Sequence, residues 1–127
     1  MVEERGGPIR IGIAEDQEDL RTAFVRLLQR LGHHVVFAAA NGEELLIASR
    51  AETIDLAVVD FDMPVVDGLT AAEELAERGI PVILVSGHEE AEKIVLEEEP
   101  VVARLMKPAT LEGLRRAIDQ ALASRRR

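Results

Sequence analysis

Five short apolar runs punctuate the chain: Ile9–Ala14, Val35–Ala38, Leu56–Val59, Val82–Val85 and Val101–Met106. Valine and isoleucine are common in them. Most runs are near-continuous rather than alternating, which is how strands buried on both faces read. Between the runs, apolar residues return at helical spacing. Leu20, Phe24, Leu27, Leu28 and Leu31 line one face of a first helix, and Gly32 follows as a stop. Asn41 with Glu44 has the form of a capping box ahead of Leu45, Leu46 and Ala48. Leu69, Ala72, Leu75 and Ala76 pattern a third helix, closed by Gly79 before Pro81. The stretch Glu89–Glu99 reads as a fourth, with a thin stripe of Ala91, Ile94 and Val95. Thr110 is placed to cap a fifth, packed through Leu111, Leu114, Ile118 and Leu122.

Strand and helix thus alternate five times. Such alternation predicts an α/β fold, a doubly wound five-stranded parallel sheet with helices on both faces. The expected boundaries are a flexible segment over 1–8, one domain over 9–123 and a basic tail over 124–127. The units share no repeated motif, so the alternation is not that of a solenoid.

Composition narrows the function. The chain has 127 residues, of which 47% are hydrophobic, enough for one core and against wholesale disorder. Net charge is −9 although the last three residues are all arginine, so the body is more acidic still. An acidic body repels phosphate backbones and anionic lipid, and an aromatic content of 2% offers few platforms for stacking bases. No nucleic-acid or membrane partner is expected. The absence of cysteine excludes disulfides, thiol catalysis and cysteine-ligated metal. The opening MVEERGG lacks the apolar stretch of a secretory signal, and no apolar run is long enough to span a bilayer. A cytoplasmic location is expected.

Ligands of doubly wound sheets bind at the carboxyl ends of the strands. Glu15 and Asp16 follow the first strand, Asp60 ends the third with Asp62 two residues on, Ser86 ends the fourth, and Lys107-Pro108 follows the fifth. Clustered carboxylates repel one another and favour a hard cation, Mg²⁺ or Mn²⁺. A lysine facing them offers an ammonium to an anion such as phosphate, and a hydroxyl can donate to a phosphoryl oxygen. A central carboxylate can act as a nucleophile and become an acyl phosphate. Acids, a divalent cation and a lysine together form a phosphoryl-transfer set.

The stretches Ile11-Gly-Ile-Ala-Glu15-Asp16, Val58-Val-Asp60-Phe-Asp62-Met63-Pro64-Val-Val-Asp67-Gly68, Val85-Ser86-Gly87 and Lys107-Pro108 resemble, in this order, the CheY-like receiver domain of two-component response regulators. The resemblance spans residues 9–123 and implies strand order 2-1-3-4-5. It implies Asp60 as phosphoacceptor, with Asp16, Asp60 and the backbone carbonyl of Asp62 on Mg²⁺ and Glu15 supporting the metal. Ser86 and Lys107 would each take a phosphoryl oxygen, and the Lys107–Pro108 bond would be cis. The implied phosphodonor is a histidine kinase or a histidine phosphotransfer domain, and a phosphorylation-dependent homodimer is a candidate assembly. Signalling would proceed by a conformational shift, with the domain assisting its own phosphorylation and dephosphorylation rather than acting as an enzyme on other substrates.

Departures from the pattern bear on output. Receivers usually carry an aromatic residue three positions before the lysine, and here that position is Arg104. The segment ahead of the fifth strand ends in Glu97-Glu98-Glu99-Pro100. Asp62 and His88, two residues past Asp60 and Ser86, are candidate modulators of the phosphorylated state. His33 and His34 open the second strand, away from these residues, and Asp67-Gly68 reads as a turn. Two rival readings exist. Asp60-x-Asp62 after an apolar strand is similar to the nucleophile and acid of haloacid-dehalogenase-like phosphatases, although there the motif opens the chain. The other rival is an interaction module that keeps the fold without phosphorylation.

Overall fold

The computed structural model describes residues 7–87 and 103–125. Its strands are β1 (Arg10–Ala14), β2 (His34–Ala39), β3 (Leu56–Asp60), β4 (Val82–Ser86) and β5 (Ala103–Met106). The helices among the described residues are α1 (Glu18–Arg30), α2 (Gly42–Ala51), α3 (Gly68–Glu77) and α4 (Leu111–Arg125). The helix expected over Glu89–Glu99 lies outside the described residues, as do Val101 and Val102 of the fifth apolar run. All strand pairs are parallel, and their order is β2-β1-β3-β4-β5, as expected.

Alternation along each strand sends side chains to opposite faces. Ile11 and Ile13 of β1, Val58 of β3 and Ile83 and Val85 of β4 join Phe24 and Leu28 of α1 and Leu114 and Ile118 of α4 on one face. On the other, Ala14, Val59 and Val82 meet Leu45 and Leu46 of α2 and Ala71 and Leu75 of α3. Burying each large aliphatic side chain is worth about 1.5–3 kcal/mol, so these two layers fix the strands in register. Every residue of β3 and β4 is buried. The outer strands differ from the near-continuous burial that their sequences suggest. β2 is mostly half-exposed, and Met106 of β5 is 42% exposed, because strands at a sheet margin are only partly covered by helices.

Local signals act as their chemistry dictates. Asn41 Oδ1 accepts from the Glu44 N–H at 2.9 Å, as the capping box predicts, but the Glu44 carboxylate accepts from the Ala40 N–H at 2.9 Å, one residue before the cap, rather than from Asn41 itself. Thr110 Oγ1 accepts from the Gly113 N–H at 3.0 Å at the start of α4. Gly32 and Gly79 end α1 and α3 with φ of 92° and 78°, the left-handed conformation that only glycine adopts cheaply. Two ties join α2 to α3. Arg50 pairs with Glu74 at 2.5 Å, and the Arg78 guanidinium donates to the Ser49 hydroxyl and carbonyl at 2.8 and 2.7 Å.

At the amino ends of the strands, the Ile9 N–H donates to His33 Nδ1 at 3.2 Å, and the His34 N–H donates to the Ile9 carbonyl at 2.9 Å. His33 is half-buried and His34 exposed. Burial holds the His33 pKa below its ordinary 6.5, against the opposing pull of Asp119. The unfolded chain therefore binds more protons than the folded one just below pH 6.5. The stability contributed by neutral His33 is complete above that pH and is lost as pH falls. A proton titration followed by NMR should place the His33 midpoint below 6.5. The His33→Asn variant, which keeps an acceptor for Ile9, should lose less stability than the wild type between about pH 7 and about pH 5.5. A midpoint at or above 6.5 contradicts this placement.

Candidate functional site

Parallel pairing brings the carboxyl ends of β1, β3, β4 and β5 to one edge of the sheet. Backbone bonds carry this order just past the strand ends. The Glu15 N–H donates to the Ala39 carbonyl at 3.0 Å, the Phe61 N–H to the Val85 carbonyl at 2.8 Å, and the Lys107 N–H to the Ser86 carbonyl at 3.0 Å. The side chains that follow are therefore set by the sheet rather than by mobile loops.

Three carboxylates meet there. Glu15, Asp16 and Asp60 each place an oxygen within 4.8 Å of the others. Asp16 is exposed, whereas Glu15 and Asp60 retain only 1% and 2% of their accessible surface. Lys107 Nζ lies 2.9 Å from Asp60 Oδ1 and comes from the other side of the cluster's chain order, after β5. The Lys107–Pro108 bond is cis. Ser86, 1% exposed, closes the same edge from β4.

Glu15 shows the electrostatic tension most directly. Its Oε2 accepts from the Gln17 N–H at 3.2 Å, while Oε1 is buried with no hydrogen-bond partner. Burial raises its pKa from 4.5 to about 7, and the neighbouring charge of Asp60 and the bond with Asp16 push the same way. The Gln17 N–H and the Lys107 charge oppose the rise without cancelling it. Neither Glu15 nor Asp16 caps α1, whose N-cap is Gln17 with no side-chain cap bond. An all-oxygen set with an unsatisfied buried oxygen fits a hard divalent cation.

The segment between Asp60 and α3 is held tightly. Asp62 is exposed two residues past Asp60, and Met63, 6% exposed, joins the core layer on the α2 and α3 side of the sheet. The Val66 N–H donates to the Pro64 carbonyl at 2.8 Å around Val65, whose φ is 72°. This is the uncommon, strained form of the γ-turn, here centred on a β-branched residue. Asp67 and Gly68 do not form the turn that their sequence suggests. Asp67 is the N-cap of α3, accepting from the Thr70 N–H at 2.8 Å, and Gly68 is its first residue. Glycine is needed at 68 because a Cβ there would lie 2.2 Å from the Asp60 carbonyl oxygen.

The expected residues Glu15, Asp16, Asp60, Ser86 and Lys107 thus converge, with Asp62 on the adjoining loop. Arg104 does not join them. It sits in β5 between Ala103 and Leu105, which face α1 and α4, so it points to the opposite face. It is half-buried and its Nε is out of solvent. His88 lies outside the described residues. Sequence reasoning overlooked Arg21, whose Nη1 donates to the Glu15 carbonyl at 2.9 Å, and Gly42, which is buried at the start of α2. A glycine directly behind a capping asparagine, where alanine would favour the helix, is the signal that could have pointed to Gly42. An apolar groove of about 400 Å³, lined by Leu20, Phe24, Leu27 and Pro108 among others, opens beside Lys107.

Comparison with known proteins places this geometry in a family. The model of the response regulator receiver domain matches residues 11–119. The transcriptional regulatory protein PdtaR of Mycobacterium tuberculosis is 29% identical over 118 residues, covering 91% of this chain and 58% of that protein. The positive alginate biosynthesis regulatory protein of Pseudomonas aeruginosa is 35% identical over 115 residues, covering 86% of this chain and 45% of its own length. The chain therefore spans only part of the length of these two relatives, 58% of one and 45% of the other. Among solved structures, a response regulator receiver domain protein from Clostridium thermocellum superposes with a TM-score of 0.82 at 24% identity, covering 92% of this chain and 96% of its own. The PhyR stress response regulator superposes with a TM-score of 0.79 at 26% identity, covering 94% and 47%. Fold, strand order and family model agree, and the chain belongs to the response regulator receiver domains of two-component systems.

Proposed function

We propose that Asp60 accepts a phosphoryl group from a phosphohistidine, in a reaction that depends on Mg²⁺ or Mn²⁺. The donor is a histidine kinase or a histidine phosphotransfer domain. The observation that carries this reading is a nearly buried Asp60 carboxylate, 2.9 Å from Lys107 Nζ and within 4.8 Å of two further carboxylates. A lone carboxylate in that position would repel an incoming phosphoryl group. The Lys107 ammonium offsets its charge and can follow a phosphoryl oxygen as charge moves onto it.

Asp60 attacks phosphorus, an O–P bond forms, the P–N bond to the donor imidazole breaks with its electron pair returning to that nitrogen, and the ring, already protonated on its other nitrogen, leaves as neutral imidazole. Ser86 donates its hydroxyl to a phosphoryl oxygen and Lys107 pairs with another. Asp16, Asp60 and the Asp62 carbonyl would hold the cation, with Glu15 behind them. When bound, the cation supplies positive charge that neutralises the phosphoryl oxygens. The apolar groove beside Lys107 gives a donor protein a surface next to Asp60 that is not repelled by the acidic body. Asp62 and His88 would tune the lifetime of the acyl phosphate through water access, and Arg104 would bias output from β5. Location in the cytoplasm follows from such a donor.

Acetyl phosphate or a phosphorylated kinase should add one acid-stable, base-labile phosphoryl group to the wild type and none to Asp60→Asn. A label that persists in Asp60→Asn overturns the assignment.

A second expectation concerns Glu15 in the cation-free protein. With its pKa raised to about 7, its folded form holds a proton that the unfolded chain releases near 4.5. Stability from this group is complete below 4.5 and is lost as pH rises through about 7. Glu15→Gln should therefore gain on the order of 1–3 kcal/mol over the wild type at neutral pH and little in acid. Chemical denaturation in the presence of a chelator, at both pH values, measures this. A Glu15→Gln variant less stable than the wild type at neutral pH contradicts it.

A further inference from the structure

We propose that Gly42 is a positioning residue for the cation, because its missing side chain lets the start of α2 act as the back wall of the loop that leads from Asp60. The inference rests on the cation reading given above and extends it to a residue outside the acidic cluster.

A Cβ on Gly42 would lie 2.2 Å from the Val66 carbonyl oxygen and 2.8 Å from Val66 Cβ. The first of these neighbours is backbone, which cannot swing aside as the end of a side chain can. Gly42 does not have a positive φ, so space rather than conformation demands glycine here. A methyl group at 42 must therefore move either α2 or the loop.

The helix is the harder to move. Its N-terminus is held by the Asn41 cap on the Glu44 N–H and the Glu44 carboxylate on the Ala40 N–H, Leu45 and Leu46 are buried, and Arg78 and Arg50 tie its far end to α3. The loop must yield, and it has little slack to absorb the push locally. The Val66 N–H is bonded to the Pro64 carbonyl, the ring fixes φ at Pro64, and Val65 is already in a strained conformation. On the far side, the Gly68 N–H is bonded to the Phe61 carbonyl at 3.0 Å, closing the loop on itself. Displacement at Val66 is thus passed along the loop toward Asp62, whose carbonyl is the proposed ligand.

The test is an NMR titration of wild type, Gly42→Ala and Ile118→Ala with Mg²⁺ alone. Ile118 lies in the core between the sheet and α4, so its truncation supplies a destabilised protein with an intact loop. Gly42→Ala should bind Mg²⁺ about ten- to hundredfold more weakly, as supporting-shell changes do. Ile118→Ala should lose stability and keep wild-type affinity. The Val66 amide should exchange faster in Gly42→Ala even without the cation. Equal affinity in Gly42→Ala and wild type overturns the positioning role. Should Gly42→Ala fail to fold, the wild type still decides. The Gly42 and Val66 amides should shift in step with Asp62 through the titration, and a Gly42 amide unmoved at saturation overturns the proposal. A wild type that takes up no Mg²⁺ overturns the cation reading itself, and the positioning role with it.

Discussion

Carboxylates that are pressed together repel, and this chain presses three of them together at the ends of its strands. Glu15, Asp16 and Asp60 lie within 4.8 Å of one another, two of them almost without solvent. Water cannot screen the buried pair, and one lysine does not balance three acids. The folded protein tolerates this because the two apolar layers on either side of the sheet hold β1 and β3 side by side whatever their ends contain. Burial energy from the middle of the strands sustains charge crowding at their tips. On the proposed reading, a cation or an added phosphoryl group would change that balance.

The packing serves the same end in finer detail. Gly12 in β1 leaves room for the Phe37 ring of β2, since a Cβ there would lie 2.3 Å from it. The ring then covers β1 from the edge strand, two residues before the chain reaches Ala14 and the acids. Gly68 and Gly42 act likewise at the other side of the site, each accepting a backbone carbonyl where a methyl group would stand. Close backbone approaches of this kind hold the Asp60 loop against α2 and the end of β3, even though Pro64 and Val65 are exposed.

Much of this was legible in the sequence. The near-continuous runs at Leu56–Val59 and Val82–Val85 are the fully buried central strands, and the Asn41/Glu44 and Thr110 signals are functioning caps. Glu15, Asp16, Asp60, Ser86 and Lys107 could be placed at one edge because parallel α/β topology sends every strand end to the same side. Other features could not be read because they depend on neighbours distant in the chain. Asp67 reads as a turn residue, and only the start of α3 shows it to be an N-cap. The enclosure of the Arg104 Nε depends on packing around β5, not on its spacing from Lys107. Gly42 carries no chemistry of its own, and its role emerges only from the carbonyl of Val66, which folding brings against it.

On the proposed reading, the acidic cluster is a cation site that is strained until filled. Thermal unfolding with and without millimolar Mg²⁺ tests it most directly, on wild type and Asp16→Asn together. A ligand that binds only the folded form stabilises it by linkage. A higher melting temperature is expected for the wild type in Mg²⁺, and a much smaller gain for Asp16→Asn. Wild-type curves that coincide with and without the cation would contradict it.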